Sequence, residues 1–368
     1  YLSAIEGLTL APEAIKNQKD LKIVFSPIHG TGITLVPEIL KRKGFENIFV
    51  VEEQAEPNGD FPTVVYPNPE EREAMTLALN KAKELDADLV MATDPDADRV
   101  GMAAKNNEGE FELLNGNQAA SLLIYYLLRK WKENGKLNGK QMIIKTIVTT
   151  DLLTRIAEKF EVDCPETLTG FKYIAALIRQ EEGKKEFIGG GEESYGYMIS
   201  DFVRDKDAVA SCAMLAEMCA WAKDQGMSVF DLLKQIYVEN GFYLETLISM
   251  TKKGMKGADE IKQMMIDMRE KTPSTIAGSK VIRTMDYQSL VEKDMISGSE
   301  KAIDQPKSNV LQFYLEDGTK ISARPSGTEP KIKFYVSVNT ALKSAVEFNE
   351  TKRFLESRID TIKKDLKL

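Results

Sequence analysis

Residues 87–102 read ADLVMATDPDADRVGM. Ala87 to Thr93 form a short apolar run that ends in three alternating acids, Asp94, Asp96 and Asp98, followed by Arg99. An apolar run of this length is a buried strand, and it predicts that the acids sit at the strand's carboxyl end. Working outward, Leu21 to Phe25 (LKIVF) is a similar run, followed by the turn SPIHGTG and a helical pattern from Ile33 to Lys43 that stops at Gly44. The strand NIFVV and a helix over Pro69 to Leu85 continue the alternation up to Ala87. Successive strand–helix units predict a parallel sheet covered on both faces, with ligand groups at the carboxyl ends of its strands. Asp94 stands at one of those ends.

A second alternating pattern starts near Gly116. It has a long helix from Gln118 to Trp131, the strand MIIKTIV, a helix from Asp151 to Phe160, a helix after Gly170, the strand EFIGG and helices through Tyr237. Beyond Gly241 come the strand YLETLISM, a helix from Ala258 to Arg269, the closely spaced strands NVLQFYL, KISARP and IKFYVSV, and a charged terminal helix from Glu347. Residues 271–306 hold Pro, Gly and Ser with few long apolar runs and are expected to be loops. The expected fold is two successive α/β domains with parallel-rich sheets, residues 1–115 and 116–242, followed by an α+β domain with an antiparallel sheet, residues 243–368.

Composition narrows the function classes. The 368 residues are 43% hydrophobic and 29% charged, as in a globular chain. The 49 Lys and Arg face 57 Asp and Glu, a formal charge of -8 without a dense basic cluster, which argues against a nucleic-acid partner. No apolar stretch approaches the roughly 20 residues that span a bilayer, and no basic start precedes an apolar core, so neither a membrane nor export is expected. Cys164, Cys212 and Cys219 have no zinc-type spacing, and a reducing cytoplasm suits them. Cys212 and Cys219 lie on one face of the apolar run Ala208 to Ala222 and are expected in the core.

Three loops could carry chemistry. Asp94, Asp96 and Asp98 can converge on a hard cation; so many close carboxylates repel unless something positive neutralises them. An EF-hand would need Gly and Glu where Arg99 and Lys105 stand. Magnesium, which favours few carboxylates plus phosphate oxygens, is the reading preferred over a solvated acidic turn. The stretch GGGEESYGY places Gly189 to Gly191, then Glu192, Glu193 and Ser194, after a strand; flexible glycines admit a ligand and the polar groups suit sugar hydroxyls, with a surface turn as the alternative. In ARPSGTEPKIK, Arg324 supplies a fork for two phosphate oxygens, Ser326 and Thr328 supply hydroxyls, Gly327 allows a tight turn, and Lys331 and Lys333 add charge. An ordinary hairpin with charged flanks is the alternative. The segment HGTG, with His29 the only histidine, reads as a structural turn. Lys172 in TGFKY and Lys206 in VRDKDA stand on turns before helices, where either could meet a phosphate or move a proton.

Together and in this order, DPDADR, GEESYG and RPSGTEPKIK resemble the magnesium, sugar and phosphate loops of the α-D-phosphohexomutase superfamily, and TGFKYI and RDKDA are similar to further family segments. The likeness runs over essentially the whole chain and is greatest to the bacterial phosphoglucomutase branch that includes phosphopentomutase-like enzymes. It implies transfer of a phosphoryl group from a phosphoserine to a sugar monophosphate, reorientation of the bisphosphate and return of the other phosphate. By resemblance, Asp94, Asp96 and Asp98 bind magnesium and Arg99 stabilises the transferring group, with Lys206 and Lys172 as the further catalytic candidates. Gly170, Glu192 and Ser194 meet the sugar, and Arg324, Ser326, Gly327, Thr328 and Lys331 clamp the non-reacting phosphate.

One part of the family pattern is missing: the phosphoserine string Thr-Ala-Ser-His-Asn-Pro does not occur, and the chain opens on Tyr1. The expectation is therefore a fragment lacking its amino-terminal domain, without mutase turnover by itself. The sequence leaves open phosphomannomutase or phosphopentomutase specificity, a non-catalytic sugar-phosphate-binding module, and an unrelated magnesium phosphatase with Asp94 as nucleophile.

Overall fold

The computed structural model describes residues 1–252, 254–327 and 329–368. The chain divides into two compact units, Tyr1–Ile236 and Tyr237–Leu368.

The first unit opens with α1 (Leu2–Glu6) and α2 (Pro12–Asn17) and then builds a sheet from β1 (Ile23–Ser26), α3 (Gly32–Lys43), β2 (Ile48–Val50), α4 (Thr76–Leu85), β3 (Leu89–Thr93), β4 (Val100–Lys105) and β5 (Phe111–Leu114). Its strand order is β2-β1-β3-β4-β5. The β1 strand pairs in parallel with β2 and β3, as the alternation predicts, whereas β4 and β5 return antiparallel and make the sheet mixed. The reversal follows from the aspartate turn, which sends the chain straight back beside β3 with no crossover helix. The helix expected over Pro69–Leu85 begins only at Thr76. Asn68 accepts the Glu70 N–H at 3.0 Å through its side chain and the Glu71 N–H at 3.0 Å through its carbonyl, so the backbone there makes a turn instead.

The same unit continues with α5 (Gly116–Glu133), β6 (Gln141–Thr146), α6 (Leu152–Lys159), β7 (Glu166–Thr167), α7 (Phe171–Glu181), β8 (Glu186–Gly191), β9 (Tyr197–Ile199) and α8 (Ala208–Asp224); α9 (Val229–Asn240) follows. A second sheet, β7-β6-β8-β9, is parallel apart from the β8–β9 pair. The run Ala208–Ala222 is buried all round in α8, Cys212 and Cys219 included, which is what an apolar helix without a polar face requires. Gly189 to Gly191 are buried strand residues of β8, not a flexible loop. A Cβ on Gly190 would stand 2.2 Å from the Ile144 carbonyl oxygen, so close strand contact explains this glycine.

The second unit holds β10 (Phe242–Thr251), α10 (Gly254–Glu270), β11 (Thr275–Ile276), β12 (Ser279–Asp286), β13 (Val291–Asp294), β14 (Glu300–Ala302), β15 (Leu311–Leu315), β16 (Lys320–Pro325), β17 (Lys331–Thr340) and α11 (Phe348–Asp365). Its antiparallel sheet runs β10-β17-β16-β15-β12-β13-β14, with β11 paired to β12. Four strands thus occupy the 271–306 region expected to be loops. Most of their residues are half-buried or exposed, so an edge-strand pattern replaces the long apolar runs that would have marked them. Phe242 stacks between Tyr237 and Phe348, with ring centroids at 4.3 and 4.9 Å. Among the described residues no helix is long and apolar enough to cross a membrane.

Candidate functional site

The turn between β3 and β4 gathers one carboxylate oxygen from each of Asp94, Asp96 and Asp98 within 4.8 Å of one another. Ala97 takes a left-handed φ of 57° between the last two. Asp94 Oδ1 accepts the backbone N–H groups of Asp98 at 3.0 Å and Arg99 at 2.9 Å, so the first acid also closes the turn. Asp94 is buried, Asp98 half-buried and Asp96 exposed, which opens the cluster on one side. Burial of Asp94, reinforced by the charges of Asp98 and Asp96 and opposed by the backbone N–H from Arg99, pushes its pKa up to about 7.

Two cations flank the trio. Arg99 Nε lies 3.6 Å from Asp94 Oδ2 and 3.6 Å from Asp98 Oδ1, and its Nη1 donates to Glu70 Oε1 at 2.8 Å. Lys206 Nζ donates to Asp98 Oδ2. The buried Asp98 Oδ1 accepts no hydrogen bond among the described residues. Three carboxylates with converging oxygens, an Asp98 oxygen lacking a donor among the described residues, and an acid whose ionisation is resisted form a donor set that fits a hard divalent cation such as magnesium.

The neighbouring loop is tied to this turn through the backbone. Val100 N–H donates to the Tyr195 carbonyl at 3.0 Å, and Ala208 N–H at the start of α8 donates to the Ala97 carbonyl at 3.0 Å. These bonds bring GEESYG and RDKDA to the aspartate turn. Asp207 caps α8 through the Ala210 N–H at 3.0 Å and accepts the Tyr1 hydroxyl at 2.6 Å. Glu192 is buried, and its Oε1 accepts the Gly170 N–H at 2.7 Å, which fastens the GEESYG and TGFKY loops together. Glu193 Oε2 accepts from Thr149 at 3.1 Å and Thr146 at 3.4 Å. Ser194 is half-buried. Lys172 is exposed on the first turn of α7, its Nζ 4.9 Å above the Tyr173 ring. His29 is held by the Glu56 carbonyl at 3.1 Å and Thr63 at 2.9 Å, as a structural turn residue.

In the second unit, the ARPSGTEPK segment joins β16 to β17. The Ser326 N–H donates to the Lys331 carbonyl at 2.7 Å and closes the turn. Arg324 lies directly opposite Lys333, which lies opposite Ser249, so two like charges share one face of the sheet. Such a pair repels unless an anion is placed between the charges. Gly327 is exposed, with open space where a Cβ would stand and a φ that is not left-handed, so neither crowding nor strain at this position requires glycine. Thr328 lies outside the described residues. A groove of about 400 Å³ runs between this turn and α10, lined by Lys262, Met265, Arg269, Ser326 and Glu329 among others.

Sequence reasoning missed Glu70, Asp207 and the Tyr195 carbonyl. Glu70 sits in an acid-rich stretch, PEERE, where nothing separates it from a solvated charge; only the fold brings it to Arg99.

Residues 1–109 match the family domain described as phosphoglucomutase/phosphomannomutase, alpha/beta/alpha domain II, and residues 115–239 match alpha/beta/alpha domain III of the same family. Phosphoglucomutase of Staphylococcus haemolyticus (strain JCSC1435) is 40% identical over 322 residues, covering 88% of this chain and 58% of that protein. Phosphoglucomutase of Staphylococcus aureus (strain MRSA252) is 39% identical over 321 residues, 87% of this chain and 57% of that protein. The chain thus spans a little over half the length of these relatives. In fold it is similar to Paramecium parafusin, a phosphoglucomutase solved in an open form (TM-score 0.65, 17% identity, 98% of this chain and 62% of that one). It is also similar to a phosphoglucomutase/phosphomannomutase family protein of Burkholderia thailandensis (TM-score 0.57, 19% identity, 94% and 63%). With two consecutive domains of this family matched in order and phosphoglucomutases among its relatives, the chain belongs to the α-D-phosphohexomutase superfamily.

Proposed function

We propose that these residues form the metal-, sugar- and phosphate-binding parts of a phosphoglucomutase that interconverts glucose 1-phosphate and glucose 6-phosphate, arranged as domains at 1–115, 116–242 and 243–368. The observation that carries this reading is the aspartate trio, converged within 4.8 Å and flanked by Arg99 and Lys206. Asp94, Asp96 and Asp98 hold magnesium, whose charge offsets that of the phosphoryl oxygens. Arg99 directs its guanidinium to the transferring group, and Lys206 and Lys172 handle the proton of the attacking or leaving hydroxyl. Glu192 fixes the backbone at Gly170, and Ser194 beside it meets the sugar hydroxyls. Arg324, Ser326, Gly327, Thr328 and Lys331 hold the phosphate that does not react.

The phosphoryl donor on this reading is a phosphoserine supplied from outside these 368 residues. Positioning and charge neutralisation carry such a transfer, because the protein has little covalent work of its own. A coupled assay of glucose 1-phosphate conversion is expected to show no turnover with the 368-residue chain. The same sequence extended upstream through a serine loop is expected to turn over, and to lose at least about 100-fold in rate on Asp96→Asn. Mannose and pentose 1-phosphates in the same assay test the sugar assignment. An inactive extended protein refutes the mutase reading.

A further inference from the structure

Arg99 has three acidic neighbours but makes one direct hydrogen bond to them, from Nη1 to Glu70 Oε1 at 2.8 Å. Asp94 and Asp98 are each 3.6 Å from Nε. The fold builds this contact deliberately. Gly101 follows Arg99 by two residues, and a Cβ there would stand 2.8 Å from Pro69 Cβ and 2.9 Å from the Pro69 carbonyl oxygen. Absence of a side chain on β4 therefore lets Pro69 rest on the strand and delivers Glu70 alongside Arg99. The Asn68 turn fixes Glu70 from one side, and fully buried Ala74 and Met75 anchor the segment from the other.

We infer that Glu70 is a positioning residue that holds the Arg99 guanidinium beside the aspartate trio and keeps it from collapsing onto Asp94 and Asp98. Without Glu70, the two nearest carboxylates attract the fork of Arg99, which then serves as an internal countercharge in competition with a cation. With Glu70, one edge of the guanidinium is committed, and Asp94 Oδ2 and Asp98 Oδ1, each 3.6 Å from Nε, stay free of a direct hydrogen bond from it. This inference rests on the cation role assigned to the trio, and it adds a residue that acts through Arg99.

The test uses the 368-residue chain with Mn2+ alone as the probe, read by the loss of the free-ion electron paramagnetic resonance signal at fixed pH. Glu70→Ala is expected to weaken Mn2+ binding about tenfold, in the range typical of residues that orient a metal site from behind. Glu70→Gln, which loses the charge but retains an acceptor for Nη1, is expected to stay within about twofold of the unsubstituted chain. In an Arg99→Ala background, Glu70→Ala is expected to change nothing further, because the residue through which it acts is gone. Equal losses for Glu70→Ala and Glu70→Gln reduce Glu70 to a distant charge and overturn the inference, as does a persistent Glu70→Ala effect in the Arg99→Ala background. Absence of Mn2+ binding by the unsubstituted chain overturns the cation site and this inference together. Normal Mn2+ behaviour with an inactive upstream-extended protein overturns the mutase reading alone.

Discussion

Burial and two neighbouring carboxylates hold the Asp94 acid near a pKa of about 7 in the folded chain, against 3.8 when it is free of the fold. Between those values the folded state keeps a proton that the unfolded state has released. Stability from this group is therefore fully present at the acid end and falls as pH rises through the window from about 4 to about 7. A cation reverses the preference, since it binds the ionised form. Magnesium affinity is accordingly expected to drop about tenfold per pH unit below 7. Thermal melts between pH 5 and 8 check both signs: the metal-free chain is expected to lose stability from pH 5 to about 7 and to level off above it, magnesium to reverse the loss there, and Asp94→Asn to abolish both effects. A metal-free melt that rises toward pH 8 because of Asp94 contradicts the assignment. The trio itself was legible in the close spacing of Asp94, Asp96 and Asp98 after an apolar strand, which keeps three carboxylates within one short turn. The left-handed Ala97 and the double use of Asp94 as turn closure were not, since both depend on the return of β4 beside β3.

At the scale of elements, α8 shows how much an apolar pattern conceals. Its composition marked a buried helix correctly, yet Glu217 lies fully buried within it. That carboxylate accepts the Leu10 and Ala11 N–H groups at 2.7 and 2.9 Å and the Tyr126 hydroxyl at 2.7 Å, and it pairs with buried Lys43 at 2.6 Å. One side chain thus joins the entry to α2, the helices α3 and α5, and α8. Removing one member of a buried pair leaves the other uncompensated, so Glu217→Ala is expected to cost about 3–5 kcal/mol in denaturant unfolding of the chain. Lys43→Met together with Glu217→Leu is expected to cost less than the two single changes added together, because no charge is then stranded. Additive costs would show that the pair is not coupled. Sequence reading could not find this pair, for Glu217 and Lys43 are 174 positions apart by number and no local rule links them. A different limit hid β12 to β14. Their side chains are mostly half-exposed, so pairing in consecutive hairpins, and of β12 with β15, defines them better than any apolar run.

On the scale of the whole molecule, the proposed cation site belongs to Tyr1–Ile236 and the proposed anion turn to Tyr237–Leu368, so each can be perturbed separately. The turn carries Arg324 opposite Lys333, with Lys331 two residues before Lys333 on the same strand. In the absence of an anion this arrangement is electrostatically unfavourable, and a phosphate dianion relieves it through charge-assisted hydrogen bonds of about 1.5–3 kcal/mol each. Arg324→Ala is therefore expected to weaken binding of glucose 6-phosphate by roughly 10- to 150-fold, the range that corresponds to one such bond, while leaving Mn2+ affinity unchanged. Asp96→Asn is expected to do the opposite, lowering Mn2+ affinity without affecting the phosphate held by the turn. Phosphorus-31 titrations and Mn2+ resonance on the same samples separate the two effects. Because Gly327 has room for a methyl group and its φ is not left-handed, Gly327→Ala is expected to leave the unfolding midpoint unchanged or slightly raised, so that a fall in glucose 6-phosphate affinity in this variant reports the methyl group crowding the anion. A fall in both affinities for either unit's variant, or an Arg324→Ala chain that binds glucose 6-phosphate normally, removes the phosphate clamp from this turn and returns it to the ordinary charged hairpin that the sequence also allows.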